Sequence, residues 1–151
     1  MKNSKFWQVS EEKLTYRNEL QAADRPQVHT SRDAENILRA NWSDDIELCE
    51  EFNVLFLNRA SQVTGLFNLS RGGICGTVVD AKILFAAALK ALASGVVLAH
   101  NHPSGNLVPS REDVEVTRRL KQIGELLEIR VFDHLILSPY GYYSFADEGT
   151  L

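Results

Sequence analysis

The hydrophobic pattern changes period several times along the chain, and each change marks an element. The first 30 or so residues are polar and weakly periodic, which suits a partly ordered arm. Ser31 stands where an N-cap would precede a short helix carrying Ala34, Ile37 and Leu38. Residues 44–50, rich in Asp and Glu, suggest a further helical turn. The run Phe52 to Leu57 is short, apolar and rich in β-formers, and predicts a buried strand. Gln62 to Leu69 reads as its hairpin partner and Ile74 to Val79 as a third strand.

Asp80 then occupies an N-cap position before an alanine-rich helix, with Gly95 placed to end it. Val96 to Ala99 is a short strand leading straight into His100. The clearest helix opens at Ser110. Its Val116, Leu120, Ile123 and Leu127 recur at helical spacing, while arginines and glutamates fill the other faces. Val131 to Leu137 and Tyr142 to Phe145 read as closing strands around a turn at Pro139–Gly141. Strands and helices mix without strict alternation, so the pattern predicts an α/β domain with a mixed sheet flanked by helices.

Composition narrows this further. A chain of 151 residues suits one domain and can bury about two-thirds of its unfolded surface, so it needs no metal or disulfide merely to fold. The formal net charge of −4 opposes direct nucleic-acid binding. Cys49 and Cys75 make neither a disulfide framework nor a C-x-x-C metal motif, which fits a reducing compartment. The N-terminal stretch has no apolar signal core, and the apolar run from Ile83 to Ala99 is too short and too broken to cross a bilayer. A cytoplasmic protein with no membrane partner is the expectation; oligomeric state is not legible.

Chemistry concentrates in one segment, from His100 to Asp113. If the preceding strand continues, His100 and His102 project to one side, because strand side chains repeat every two residues. Pro103, Gly105 and Pro109 impose a turn-rich loop that delivers Ser110 and Asp113 to the first turn of the next helix. Two histidines and a carboxylate, with a water in the fourth position, form a catalytic zinc set. Asp113 has a second explanation, since Ser110-x-x-Asp113 also fits a capping box. Position alone separates neither reading. Asn101 makes the letters spell HNH, but the catalytic residues of HNH nucleases are dispersed through a larger motif.

His100-x-His102, seven residues, Ser110, two residues and Asp113 resembles the signature of the JAMM metalloproteases, which share the JAB/MPN fold. Within that group, HNHPSG, PSREDVEVTRRL and FDHLIL resemble the RadC family in particular. The resemblance covers roughly residues 28–150, dividing the chain into an arm (1–27) and a JAB/MPN domain (28–151). It implies a cytidine-deaminase-like mixed sheet flanked by helices, and a zinc-dependent peptidase or isopeptidase acting on a peptide or isopeptide substrate. In this reading His100, His102 and Asp113 hold one Zn²⁺ and Ser110 donates to the oxyanion. Glu50, just before the strand, is the general base, with Glu51 as the alternative because a one-residue slip reverses the face.

Asn101 and Ser104 would shape the loop, and Asp133 and His134 would either support the ligands from behind or serve as buried structural groups. Longer RadC proteins carry a helix-hairpin-helix region, for which this length leaves no room. Val79-Asp80-Ala81-Lys82 also departs from the Pro-Arg-Glu segment of many relatives. The family's DNA-repair label keeps a second reading open, a metal-containing accessory protein of nucleic-acid transactions without peptidase activity. A third is an inactive scaffold.

Overall fold

The computed structural model describes residues 9–72 and 77–151. Helix α1 (Ser31–Ala40) precedes the antiparallel pair β1 (Glu51–Leu57) and β2 (Val63–Arg71). Helix α2 (Ala81–Lys90), β3 (Gly95–Asn101), α3 (Arg111–Leu126), β4 (Arg130–Ser138) and β5 (Gly141–Ser144) follow. The five strands form one mixed sheet in the order β2-β1-β3-β4-β5. Only β3 and β4 run parallel, joined by the crossover helix α3.

The two faces of the sheet follow from alternation along its fully buried central strands. Phe52, Val54 and Phe56 of β1 join Val96 and Leu98 of β3 beneath Leu84, Phe85 and Ala88 of α2 and Leu120 of α3. Leu55, Leu57, Val97 and Ala99 face the other way, onto Ala34 and Leu38 of α1. The molecule is therefore three layers deep, with α1 on one face and α2 and α3 on the other. None of the helices of the described residues is long and apolar enough to cross a membrane.

Several element ends differ from the sequence expectation, each for a local reason. Thr30, not Ser31, caps α1: its hydroxyl accepts the Asp33 N–H while Asp33 accepts the N–H of Thr30. Ser31 instead donates to Asp147 and meets the Tyr142 hydroxyl. The acidic stretch 44–50 folds as turns rather than helix, held by Leu48 and Cys49 N–H groups on the Asp45 carbonyl. The strand expected over 74–79 is not seen at 77–79, and its remaining positions lie outside the described residues.

Helix α2 stops at Lys90, well before Gly95. Leu92 adopts φ 52°, with its N–H on Leu89 O and the Ala93 N–H on Ala88 O. That is a Schellman stop built without glycine. Gly95 serves β3 instead, where a Cβ would collide with the Phe132 ring at 2.1 Å. Helix α3 ends the same way. Glu128 takes φ 57°, and the Ile129 N–H reaches Gly124 O at 2.8 Å.

Candidate metal centre

β1 and β3 are in register with Phe52 opposite His100, and the two rings stack at 6.0 Å. Both face the α2/α3 side, where Leu98 and Val54 also point. His102 continues the strand's direction, with its N–H on the Leu137 carbonyl of β4. Pro103 opens a turn closed by the Gly105 N–H on His102 O, and Gly105 takes φ 83°. Ser104 accepts the Asn106 N–H, and Asn106 places its carbonyl 2.6 Å from His102 Nδ1. A carbonyl can only accept, so Nδ1 carries a proton; Nε2 then donates to Asp113 when the ring is a cation and keeps a free lone pair when it is neutral.

Asp113 arrives from the first turn of α3. Its Oδ1 lies 3.1 Å from His100 Nε2 and its Oδ2 3.3 Å from His102 Nε2; the two Nε2 atoms are 3.0 Å apart. The same Oδ2 accepts the Ser110 N–H at 2.7 Å, while Ser110 Oγ accepts the Asp113 N–H. One carboxylate thus completes the capping box of α3 and stands within reach of both histidines. These hydrogen bonds from the histidines and Ser110 hold its carboxyl well below the usual range, outweighing the opposing effect of burial. The hydrogen bond to Asp113 pushes His102 up.

The donor set fits a small divalent ion. A four-coordinate zinc with bonds of about 2.0–2.1 Å places its ligands roughly 3.3 Å apart, close to these separations. The side chain of His100 is 2 % exposed at the bottom, against 16 % for that of His102 and 13 % for that of Asp113, so the cluster is anchored below and open above. It lines a cleft of about 470 Å³ with Phe52, Val79 and Val116 as apolar walls and Glu50, Ser110 and Arg119 among its polar groups.

Glu50 and Glu51 part company at the start of β1. Glu50 shares the parity of Phe52 and lines the cleft, half-buried; burial pushes its carboxyl up, with the two histidines opposing. Glu51 is buried on the opposite face, accepting from Ser43 and Asn68 and forming an ion pair with Arg71. Asn101 fixes this divergence. Its Oδ1 accepts the Glu51 N–H at 2.7 Å and its amide donates to the carbonyls of Ile46 and Cys49.

Residues 28–150 match the RadC-like JAB domain. The chain belongs to the RadC family. Relatives of this RadC-family domain include UPF0758 proteins of Flavobacterium johnsoniae, 49% identical over 66% of this chain and 44% of the relative, and of Porphyromonas gingivalis, 46% identical over 68% and 45%. A UPF0758 protein of Staphylococcus haemolyticus is 36% identical over 83% of the chain and 54% of its own length. The chain thus spans about half the length of the curated relatives it matches.

Among the supporting residues, the RadC-family domain separates Asp133 from His134. Their side chains leave β4 on opposite faces: Asp133 accepts from Ser144 Oγ and the Ala146 N–H, tying down the C-terminal turn, and has no hydrogen bond to the triad. His134 is fully buried, stacks on Phe145 and meets His100 Nδ1 at 2.8 Å. Burial drives its pKa well down, which favours the neutral ring. Thr117, which the sequence did not single out, meets His134 Nδ1 at 2.6 Å. The available signal was a polar residue inside the apolar stripe of α3, one turn after Asp113.

Proposed function

We propose that this domain is a zinc-dependent hydrolase of peptide or isopeptide bonds. The observation that carries the reading is the convergence of His100 Nε2, His102 Nε2 and an Asp113 carboxylate at the foot of a cleft that also holds Glu50. Zinc held by these three side chains would polarise a carbonyl and acidify water near neutral pH.

The remaining work falls to the protein. Glu50, its pKa pushed up by burial, takes a proton from the attacking water and returns it to the leaving amine. Ser110 Oγ spends a lone pair on the Asp113 N–H, which leaves its own hydrogen free to donate to the developing oxyanion. Phe52, Val79 and Val116 present apolar walls to the chain being cut. His100 and His102 keep fixed ring orientations through their Nδ1 contacts.

The test is comparative. Zinc-loaded wild type and Glu50→Gln are incubated with cell lysate, and new peptide N-termini and freed lysine side chains are mapped. Cleavages seen only with wild type support the reading. Identical maps from two zinc-loaded proteins overturn it.

A further inference from the structure

The groups behind His100 form a chain whose polarity is set from its far end. Thr117 Oγ1 lies 2.6 Å from the Asp113 carbonyl, one helical turn back, and 2.6 Å from His134 Nδ1. His134 Nε2 lies 2.8 Å from His100 Nδ1. Thr117 is 2 % exposed, His134 0 % and His100 1 %, so bulk water does not substitute for any of these contacts.

The Asp113 carbonyl has no proton to give, and a threonine hydroxyl has one. If that proton went to His134, two acceptors would face each other at 2.6 Å on the Asp113 side. The hydroxyl therefore donates to the carbonyl and accepts from His134 Nδ1–H. With a single proton, held on Nδ1, His134 has its lone pair on Nε2, so His100 donates from Nδ1. In the neutral ring what is left on His100 is a lone pair at Nε2, on the side of Asp113 and His102, whereas the cationic ring donates from Nε2 to Asp113.

We propose that Thr117 is a positioning residue: through His134 it sets the tautomer of His100 and so readies Nε2 to bind a cation. This deepens the zinc reading and rests on it. It also explains a threonine in the interior of α3, where its hydroxyl back-bonds to Asp113 at the cost of helix propensity. One side chain thereby links the backbone carbonyl of the third ligand to the imidazole of the first. His102 achieves the same state more simply, with its Nδ1 on the Asn106 carbonyl.

The test uses the full chain, stripped of metal, as wild type, Thr117→Val, Thr117→Ser and His102→Ala. Zinc binding is measured by calorimetry, and the tautomer of His100 is read from imidazole ¹⁵N shifts of the metal-free protein in alkaline buffer. Thr117→Val should weaken zinc binding by about 10- to 100-fold and mix the His100 tautomers, while Thr117→Ser restores both. Wild-type affinity together with an unchanged His100 signature in folded Thr117→Val overturns the proposal. His102→Ala separates the two readings: if it and wild type both fail to bind zinc, the metal reading falls and the ¹⁵N spectra alone decide the relay. Should Thr117→Val not fold, Thr117→Ser with altered His100 shifts counts against it and with retained shifts for it.

Discussion

Phe52 of β1 and His100 of β3 are register partners, and their ring planes differ by only 3°. This pairing fixes the parity of everything upstream on β1. Glu50 is thereby carried to the cluster side and Glu51 to the α1 side. The two acids should fail differently. Glu50→Gln should lower hydrolysis by about 10²- to 10⁴-fold with zinc content unchanged, the usual range for losing a general base. Glu51→Gln should leave turnover nearly intact but cost about 1–3 kcal/mol in stability, since a buried charged acceptor is replaced. Steady-state assays beside urea melts check this; equal loss of turnover in both would refute the assignment.

Asn101 joins the histidine strand to the turn that precedes Glu50, with all three hydrogen bonds inside the protein. Asn101→Ala should destabilise the domain by about 3 kcal/mol, because a buried N–H and two carbonyls lose their partner. Asn101→Asp should not rescue it, having no amide to donate. Denaturant midpoints read this directly, and a loss below about 1 kcal/mol would show that these groups find other partners.

His134 makes stability depend on pH. Its folded pKa is depressed, first by burial and then by His100, so the native state stays unprotonated where the unfolded chain takes up a proton. The contribution is full above about 6.5 and is lost as pH falls below that value, approaching about 1.4 kcal/mol per pH unit. Metal-free His134→Gln keeps a donor and an acceptor without titrating, and should show a shallower acid-side slope by that amount. His102 acts in the opposite sense in both proteins: its raised pKa lends stability that disappears as pH rises through it. Parallel slopes for wild type and His134→Gln between neutrality and mild acid would contradict the assignment.

Glu128 stops α3 at φ 57°, and it is exposed. A left-handed conformation costs a residue with a Cβ roughly 1 kcal/mol, which glycine escapes. Glu128→Gly should therefore raise stability by about 1 kcal/mol without affecting zinc binding. By contrast, Gly124→Ala should be strongly destabilising, since its Cβ would fall 2.3 Å from Ile129 O. Thermal melts of the two variants should move in opposite directions.

Much of this architecture is legible in the sequence because burial writes a period. β1 and β3 are buried on both faces and read as short apolar runs, and α3 carries a helical stripe. The His100, His102 and Asp113 cluster is legible because a two-residue strand repeat and a capped helix start each constrain where the side chains go. The helix stops are not, because they depend on left-handed Leu92 and Glu128, residue types that do not announce that conformation. The choice between Glu50 and Glu51 needs the β1–β3 register, which lies between strands rather than along one. Thr117 stays hidden because its importance comes from His134, 17 residues away.

The double duty of Asp113 bears on how the domain should be disarmed in the laboratory. An alanine there would remove a cluster member and also unlock the opening turn of α3, so an inert product could not be told from a frayed one. Asp113→Asn keeps an oxygen for the Ser110 N–H while discarding the negative charge. It is the cleaner knockout, and the one whose silence would speak about chemistry alone.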